Sequence, residues 1–437
     1  MANPKIFCNV PWFELHINQD GSYDLCGCMN SLIAGTDQAK VWNIKNLDID
    51  QYWQSDRLRQ ERLQKLSNTP NPACEPCRHN DSIGNQSKRI KENFKSVVFP
   101  DHNFAKSLEQ SPHKALFDYS ANNDGLTLTK PVSYHVSLGN DCNLGCVMCS
   151  PHSSYKLAQD YKKLNWIAEA RRENWTDDSE LWNKFCQRLL ETKNLLSFHV
   201  VGGEPTISPR FYELIDLLVA QEFTDFSFSF TTNGMQDITK LWPSFSKFKR
   251  VEIGISTETV TSSNDYIRYG SNIDVLLANI DKFISTAPDN IDFVLRTVPT
   301  FLTITEYSKV IDYCLEKNLL LNSYFITTRD WQAIEILPDN VRLELKSEFQ
   351  SQLDRYSELH NAQDVRLNNF RNKTQVLDNL ITEIKACINS LNTKPSADLE
   401  ALRTKAVKKF KELDQLRGNS VLKNFPRLTE FFKSHGY

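Results

Sequence analysis

The sequence lacks the features that mark secreted and membrane proteins. None of its 437 residues lie in an uninterrupted apolar run of the ~18 residues that a membrane-spanning helix needs. The first residues, MANPKIFCNVPWFELH, contain neither a basic segment nor an apolar core, so they do not read as a signal peptide. We therefore expect a cytoplasmic protein without membrane association.

An excess of charge of one sign is also missing. The chain has 51 basic and 54 acidic residues, a net charge of −3 and a pI near 6.3. No overall basic field would attract nucleic acid, which is not an expected partner on this ground. A hydrophobic content of 40% over this length is sufficient for two or three packed domains.

Cysteine, in contrast, is abundant, with eleven in the chain. In a reducing compartment this number argues against a disulfide framework and for metal or redox chemistry. Three cysteines stand alone on segments with helical character and are expected to be small buried hydrophobic residues: Cys186, Cys314 and Cys387. The other eight fall into two groups, one within the first 80 residues and one around residue 145.

The first 100 residues predict a small mixed domain. The segment WFELHINQDGSYDLCGC alternates apolar and polar residues around Asp20-Gly21, the pattern of a β-hairpin. The segment SDRLRQERLQKLSN predicts a helix that Ser55 caps and whose exposed face is basic. Residues 101–131 are polar, contain ANNDG, and predict a surface linker.

From residue 132 to residue 335 strands alternate with helices. The strand-like segments are VSYHVSL, LSFHVVGG, DFSFSFTTNG, RVEIGISTE, IDFVLRTVP and LNSYFITTR. Such alternation predicts parallel βα units with right-handed crossovers. Six units are two short of a closed eight-unit barrel, so the fold class is α/β, a partial (β/α)6 TIM-like barrel whose lateral opening would suit a large substrate.

Residues 336–437 predict a helical arm. Apolar residues recur there at intervals of three and four, as in an amphipathic helix: Val376, Leu377, Leu380, Ile381, Ile384, Ile388 and Leu391. A packed structural extension is the simplest interpretation. Covering the barrel, forming an oligomer and binding a partner are the alternatives.

Cys142, Cys146 and Cys149 form the densest chemical motif, within the segment NDCNLGCVMCSP. A structural zinc site needs four ligands, and no fourth Cys or His lies nearby in sequence. A [4Fe–4S] cluster takes one thiolate per iron, so three thiolates leave one iron open to a small ligand. The motif directly follows a predicted strand, which places it on the face of the barrel where active sites lie.

The spacing of this trio resembles the signature of the radical S-adenosylmethionine (SAM) superfamily, and the resemblance extends over residues 132–335. Members bind SAM at the open iron of a [4Fe–4S] cluster and cleave it by one-electron reduction. The 5′-deoxyadenosyl radical then takes a hydrogen atom from the substrate. The resemblance implies that Met148 packs on the adenine and that an external reductant of the flavodoxin or ferredoxin type supplies the electron.

Three further motifs at predicted strand ends are similar to those of the family. The GGEP motif implies that Gly202, Gly203 and Glu204 approach the amino group of SAM. The TTNG motif contains Asn233. The GISTET motif implies that Ser256 and Glu258 contact the ribose, although the family more often has Asp at the second of these positions.

The amino-terminal cysteines resemble a SPASM or twitch domain, in which a hairpin, a helix and a Cys-x-x-Cys pair hold an auxiliary [4Fe–4S] cluster. The implied ligands are Cys8, Cys26, Cys74 and Cys77, with Cys28 as a spare that could replace Cys26. Relatives usually carry this domain after the barrel, whereas here it would precede it, over residues 1–100. The spacing alone also fits a zinc ribbon.

The resemblance implies oxidation, epimerisation or crosslinking of a peptide or sugar-type substrate, and it assigns no catalytic side chain. Cys28 and Cys314 are candidate hydrogen donors only by elimination, and Arg296 could bind a carboxylate or a phosphate. Two alternatives stay open. One is an RNA-modifying enzyme, to which the basic helix with Arg57, Arg59 and Arg62 gives a small hint. The other is a non-catalytic iron–sulfur scaffold.

Overall fold

The computed structural model describes residues 7–28, 37–95, 111–326, 330–361, 373–394 and 398–437. Its centre is an eight-stranded sheet in the order β2-β1-β3-β4-β5-β6-β7-β8. The strands are β1 (Glu14–Ile17), β2 (Tyr23–Asp24), β3 (Ser133–Ser137), β4 (Ser197–Val201), β5 (Ser227–Thr232), β6 (Arg250–Ser256), β7 (Ile291–Thr297) and β8 (Leu320–Ser323).

The six strands β3 to β8 are parallel and follow one another in chain order, which confirms the prediction of a six-unit TIM-like barrel. Helices connect successive strands, as parallel pairing requires. They are Tyr155–Lys163, Ser179–Leu190, Pro209–Ala220, Trp242–Phe245, Ser263–Ile267, Ile273–Thr286 and Tyr307–Lys317.

The two faces of this sheet differ in polarity. Residues alternate along β3, β4 and β5 between fully buried and half-buried positions. The buried positions are apolar, for example Tyr134, Phe198 and Phe228, and they pack against the helices. The half-buried positions on the inner face are polar, for example His135 and His199. A parallel sheet that is packed on both faces is apolar throughout, so these polar side chains form an inner wall that no apolar layer of the described residues covers.

The amino-terminal hairpin is part of the same sheet. Strands β1 and β2 pair in antiparallel fashion, with the predicted turn at Asp20-Gly21 between them, and β1 pairs in parallel with β3. The remaining helices of this region pack around the hairpin. They are Val10–Phe13, Asp37–Val41, Ile49–Trp53, Asp56–Leu66, Glu75–Ser82 and Lys88–Lys95.

The gap between the first and last parallel strands is spanned by this amino-terminal region. In helix Lys88–Lys95, Lys88 forms an ion pair with Glu14 of β1, and Lys91 donates to Asn322 of β8 at 2.6 Å. Asn85 donates to the carbonyl of Ser323 at 2.9 Å. Hydrogen bonds therefore bridge the gap at this place, while the sheet itself is open rather than closed, as predicted.

Part of the predicted linker is ordered and helical. Residues 101–110 lie outside the described residues, but helix Lys114–Asn122 packs on the amino-terminal region through Phe117, which contacts Phe7 and Trp12. The Trp12 indole also donates to Ser120 at 2.9 Å. This apolar contact, which the polar composition hides, explains why the segment is not irregular.

The carboxyl-terminal region is helical, as predicted. Its helices are Asp339–Asn361, Lys373–Leu391, Leu399–Arg417, Val421–Asn424 and Thr429–Ser434. Asn379 exchanges two hydrogen bonds with the backbone of Leu321, at 2.8 and 2.9 Å, so the arm satisfies the free edge of β8. Among the described residues, no helix combines the length and apolar character that crossing a bilayer requires.

Candidate functional site

The cysteine trio lies in the loop that leaves the carboxyl end of β3. Cys146 is buried, and Cys142 and Cys149 are half-buried. The loop is tightly folded, because the N–H of Cys149 donates to the carbonyl of Cys146 at 3.0 Å and that of Leu144 donates to Cys142 Sγ at 3.4 Å. Helix Tyr155–Lys163 follows, and Ser154 caps it. The structure thus places the three thiols where the sequence predicted them.

The chemistry of this donor set fits a bound cationic group. Burial raises the pKa of Cys142 to about 12, and the neighbouring Cys146 adds to the effect. Burial also raises the pKa of Cys146 to about 11. Thiolates in such a place need a metal to balance them. Among the described residues, no three Cys, His, Asp or Glu side chains converge as a single metal ion requires.

Gly202 and Gly203 bring the end of β4 against the cysteine loop. Both have positive φ angles, of 92° and 54°. A Cβ atom on Gly202 would lie 1.7 Å from Ser137 Oγ, and one on Gly203 would lie 1.9 Å from the carbonyl oxygen of Asp141. Only glycine permits this conformation together with this close approach. The GGEP motif therefore also has a structural role in holding the loop to the strand.

Glu204 is engaged more fully by the protein than the sequence suggested. Its carboxylate is buried and accepts hydrogen bonds from Thr206 N–H and Oγ1, from Thr232 Oγ1 at 2.7 Å and from Asn233 N–H at 2.6 Å. Burial raises its pKa, although these donors act in the opposite direction. The contacts join the ends of β4 and β5, so a positioning role is the one that the geometry supports directly.

Asn233 connects the end of β5 to the cysteine loop. Its side-chain amide donates to Asn143 Oδ1 at 2.7 Å, and Asn143 lies next to Cys142 in the sequence. Asn233 is itself buried. Residues from the ends of β4 and β5 and from the loop after β3 thus form one hydrogen-bonded unit, which the order of the sequence motifs alone did not reveal.

The end of β6 carries a buried ion pair. Glu258 binds Arg268 at 3.1 Å and accepts from the N–H of Val298 at 2.7 Å. Burial raises the pKa of Glu258 to about 7 against the opposing effect of Arg268. Ser256 lies half-buried at the same strand end, and Met148 is buried within the loop. The residues expected to contact the ribose and the adenine therefore lie at the same edge of the sheet as the trio, where the parallel strands end.

Two buried arginines beside the trio were not predicted. Arg268 lies near all three thiols, with Cys146 its strongest thiol neighbour in electrostatic terms. Arg417, from the carboxyl-terminal helix, donates to the carbonyl of Gly145 inside the loop at 2.7 Å. No local sequence signal identifies Arg417, because it is more than 260 residues from the motif.

The amino-terminal cysteines meet in one cavity. It is lined by all five of them, Cys8, Cys26, Cys28, Cys74 and Cys77, together with charged side chains. The N–H of Cys28 donates to Cys26 Sγ at 3.3 Å. The structure thus gathers residues separated by as much as 69 positions, and it places Cys28, the expected spare, in the same cavity as the four expected ligands.

Two lysines, the buried Lys65 and the half-buried Lys88, accompany these thiols. Lys65 donates to Cys74 Sγ at 3.1 Å and forms an ion pair with Glu61 at 2.7 Å. Burial lowers the pKa of Lys65, but the charges of Glu61 and Cys74 outweigh it, so the pKa is raised overall. Lys88, the second lysine of the cavity, lies near Cys26 and Cys28. Both cations are placed to balance thiolate charge.

This cavity adjoins the polar inner wall of the barrel. A Cβ on Gly27 would lie 2.7 Å from the His135 ring, so the backbone between Cys26 and Cys28 rests on that imidazole. Lys88 Nζ lies 3.5 Å from His135 Nδ1. The rings of His16, His135 and His199 follow one another across β1, β3 and β4, with centroids 4.6 and 4.9 Å apart.

Arg296 lies further along the inner wall and is already bound. Its guanidinium donates to Thr231 at 2.8 Å, forms an ion pair with Glu252 at 3.1 Å and lies 3.3 Å from His199 Nε2. Gly254 makes this possible, since a Cβ there would lie 2.3 Å from Arg296 Nε. The geometry gives Arg296 a role in shaping the wall rather than the role of an open anion receptor.

Three minor expectations fail in the structure. Cys314 is fully buried in the hydrophobic core, so it is not placed to donate hydrogen to a substrate. The basic helix is not an open basic face, because Arg62 is buried and donates to three backbone carbonyls, and Arg57 pairs with Asp24. The helix starts after Ser55 as predicted, but the Ser55 hydroxyl forms no capping bond.

Comparison with known protein families identifies two domains. Residues 136–300 match the radical SAM superfamily, and residues 8–78 match the SPASM iron–sulfur cluster-binding domain. These matches cover the trio and the five amino-terminal cysteines respectively. The two domains imply SAM, a [4Fe–4S] cluster and a second iron–sulfur cluster as cofactors.

Curated relatives match a limited part of the chain. The mycofactocin maturase MftC of Mycobacterium tuberculosis is 26% identical over 152 residues, which are 34% of this chain and 33% of the relative. MftC of Mycobacterium ulcerans is 27% identical over 145 residues. The match therefore spans about one third of the length of these relatives.

Solved structures that align with part of the chain include Streptococcus suis SuiB bound to S-adenosylmethionine. It is 15% identical with a TM-score of 0.36, over 62% of this chain and 57% of SuiB. Native anSMEcpe with bound AdoMet is 19% identical with a TM-score of 0.39, over 53% of this chain and 62% of that one.

Proposed function

We propose that this chain, which joins a radical SAM domain to an amino-terminal SPASM domain, is an enzyme that cleaves SAM reductively and takes a hydrogen atom from a substrate. The observation that carries the proposal is the assembly at the carboxyl ends of the strands. Three thiols, the two glycines of GGEP and the acid–arginine pair after β6 face one place there.

Each part of this assembly has a role in the proposal. Cys142, Cys146 and Cys149 would hold three irons of the cluster, whose fourth iron, with SAM bound, supplies the one-electron cleavage of a carbon–sulfur bond. The backbone at Gly202 and Gly203 would approach the amino group of SAM. Glu204 and Asn233 fix the loop against the strand ends. Met148, Ser256 and Glu258 would contact the nucleoside.

The amino-terminal site lies on the path of the substrate in this proposal. The parallel pairing of β1 with β3 places Glu14 level with Ser133, at the opposite end of the strand from the trio. Four residues of strand separate Ser133 from the end of β3 at Ser137, where the loop with the trio begins, and this corresponds to about 13 Å. A substrate against His135 and His199 would lie between the two thiol sites and next to Gly27. This arrangement favours net oxidation of the substrate over a redox-neutral epimerisation.

The inner wall also bears on the substrate class. It offers imidazole, hydroxyl, carboxylate and guanidinium groups at half-buried positions, which suits a substrate rich in hydrogen-bonding groups. The similarity to maturases favours a peptide over a sugar. A one-electron donor of the flavodoxin or ferredoxin type would reduce the trio's cluster from outside.

The proposal is tested with the full chain after anaerobic reconstitution with iron and sulfide. Protein, SAM and dithionite are incubated with peptide mixtures or with sugar mixtures, and 5′-deoxyadenosine is quantified. A substrate class should raise the rate above slow uncoupled cleavage, and we expect peptides to do so. Stimulation by sugars alone would reject the peptide assignment, and absence of 5′-deoxyadenosine under all conditions would reject the enzyme proposal.

A further inference from the structure

The carboxyl-terminal helix Leu399–Arg417 reaches the cysteine loop through its last residue. The Arg417 side chain is only 4% exposed. Its Nη2 donates to the Gly145 carbonyl at 2.7 Å, and its Nε donates to Asp160 of the helix after the loop at 3.0 Å. The guanidinium also stacks on the Tyr269 ring, with its carbon 4.5 Å from the ring centroid.

These contacts meet at the place where the loop is fastened to the barrel. The N–H of Gly145 donates to the carbonyl of Tyr269 at 2.9 Å, and the N–H of Val147 donates to that of Ile267 at 2.8 Å. A Cβ on Gly145 would lie 3.2 Å from Arg417 Nη2, so glycine in the middle of CNLGC leaves room for the guanidinium.

The same helix also holds the segment that follows β6. Asp414 accepts from the Tyr266 hydroxyl at 2.8 Å, and it accepts from the N–H of Val421 at 2.7 Å where the chain turns. Glu412 accepts from the Trp166 indole at 2.7 Å. The arm is therefore attached on both sides of the loop, and Arg417 is its contact with the loop itself.

We infer that the carboxyl-terminal arm contributes to the radical SAM site through Arg417. Arg417 is a positioning residue that holds the cysteine loop and makes the cluster bound there easier to reduce. A buried cation beside Cys146 stabilises the more negative, reduced form of a cluster held there, because charge and hydrogen bonding around the sulfurs set the potential. Asp160, which pairs with Arg417, offsets part of this effect.

This inference rests on the proposed function and makes a two-sided test possible. Arg417→Gln removes the cation, and Asp160→Asn removes the anion that partly neutralises it. In the reconstituted full chain, the midpoint potential of the cluster whose electron paramagnetic resonance signal changes on addition of SAM should become more negative in the first variant. It should become less negative in the second. Arg417→Lys should remain near the wild type, since it keeps the charge.

Lys408→Gln is the matched control, because Lys408 lies on the same helix with an exposed side chain, and its potential should not move. Unchanged potentials in both Arg417→Gln and Asp160→Asn, or shifts of the same sign, would overturn the inference. If Arg417→Gln does not fold, the test rests on Asp160→Asn, in which the midpoint potential of the cluster should become less negative. Wild-type protein without any SAM-sensitive signal would instead refute the proposed function.

Discussion

The two cysteine sites are built in opposite ways. The barrel site takes its three thiols from eight consecutive residues, and buried arginines, Arg268 and Arg417, lie beside them. The amino-terminal site collects five thiols from residues 8 to 77 and places two lysines, the buried Lys65 and the half-buried Lys88, beside them. The first site is therefore a local motif fastened by distant residues, whereas the second exists only after the surrounding domain has folded.

This difference predicts how each site fails when it is damaged. A loop fastened to strand ends keeps its scaffold when the metal is lost. A small domain gathered around its thiols gains stability from the metal. The amino-terminal site should therefore be more sensitive to changes in packing and in buried charge than the barrel site.

The largest expected effect is on the iron content. Two cubane clusters require about eight irons per chain. Replacing Cys142, Cys146 and Cys149 by Ala should remove about half, and Cys74→Ala with Cys77→Ala should remove the other half. The control Cys186→Ala, at a buried cysteine outside both sites, should keep all of it. Stoichiometric zinc with only about four irons would contradict a second iron–sulfur cluster.

Next in size is the loss of the buried Lys65–Glu61 pair, in which both side chains are 4% exposed. Lys65→Met leaves Glu61 and Cys74 without their cation and should lower the free energy of unfolding by about 3 kcal/mol. Unfolding in denaturant measures this change in the free energy of unfolding. The control Lys40→Met breaks an exposed pair with Asp37 and should change stability little. Equal effects in the two variants would show that burial of the pair is unimportant.

A smaller effect is expected where the two sites adjoin. Gly27→Ala places a methyl group 2.7 Å from the His135 ring and should cost about 1–3 kcal/mol by overpacking, with partial loss of the second cluster's iron. The double variant with His135→Ala should recover that iron. If the double variant stays as depleted as Gly27→Ala, the contact between the cavity and the inner wall is not what holds residues 26–28.

The effect expected to be smallest at neutral pH is on the pH dependence of stability, because it develops only as the pH falls. Burial lowers the pKa of His16 to about 4, below its usual 6.5. The unfolded chain then binds the proton more readily, so this contribution is present above pH 6.5 and is lost as the pH falls toward 4. Between pH 6.5 and pH 4, the free energy of unfolding of His16→Gln should therefore fall by up to about 3 kcal/mol less than that of the wild type. If the free energy of unfolding of the wild type and of His16→Gln depended on pH in the same way, His16 would not be a buried, neutral side chain.

The sequence predicted what lies close together along the chain. Cys142, Cys146 and Cys149, the GGEP glycines and the six parallel strands follow from spacing and from the order of strand ends. Glu204 was identified as a site residue, but two of the three residues that donate to its carboxylate, Thr232 and Asn233, lie at the end of β5 and meet it only in the fold.

Features that depend on long-range contacts could not be predicted. The bridge across the sheet gap joins Lys91 to Asn322, and the barrel site recruits Arg417. A lysine or an arginine in a polar helix is normally exposed, so nothing in its neighbours marks it as buried. The contact between Gly27 and His135 depends in the same way on the hairpin joining the sheet beside β3.

The most direct test of the account is 5′-deoxyadenosine formation by dithionite-reduced, reconstituted protein in the presence of SAM, compared among the wild type, Cys146→Ala and Cys74→Ala. Circular dichroism confirms that each variant is folded. We predict product from the wild type, none from Cys146→Ala, and slow but persistent formation by Cys74→Ala, because every residue assigned to SAM lies between positions 142 and 258. Undiminished product from Cys146→Ala would contradict the assignment of the barrel site.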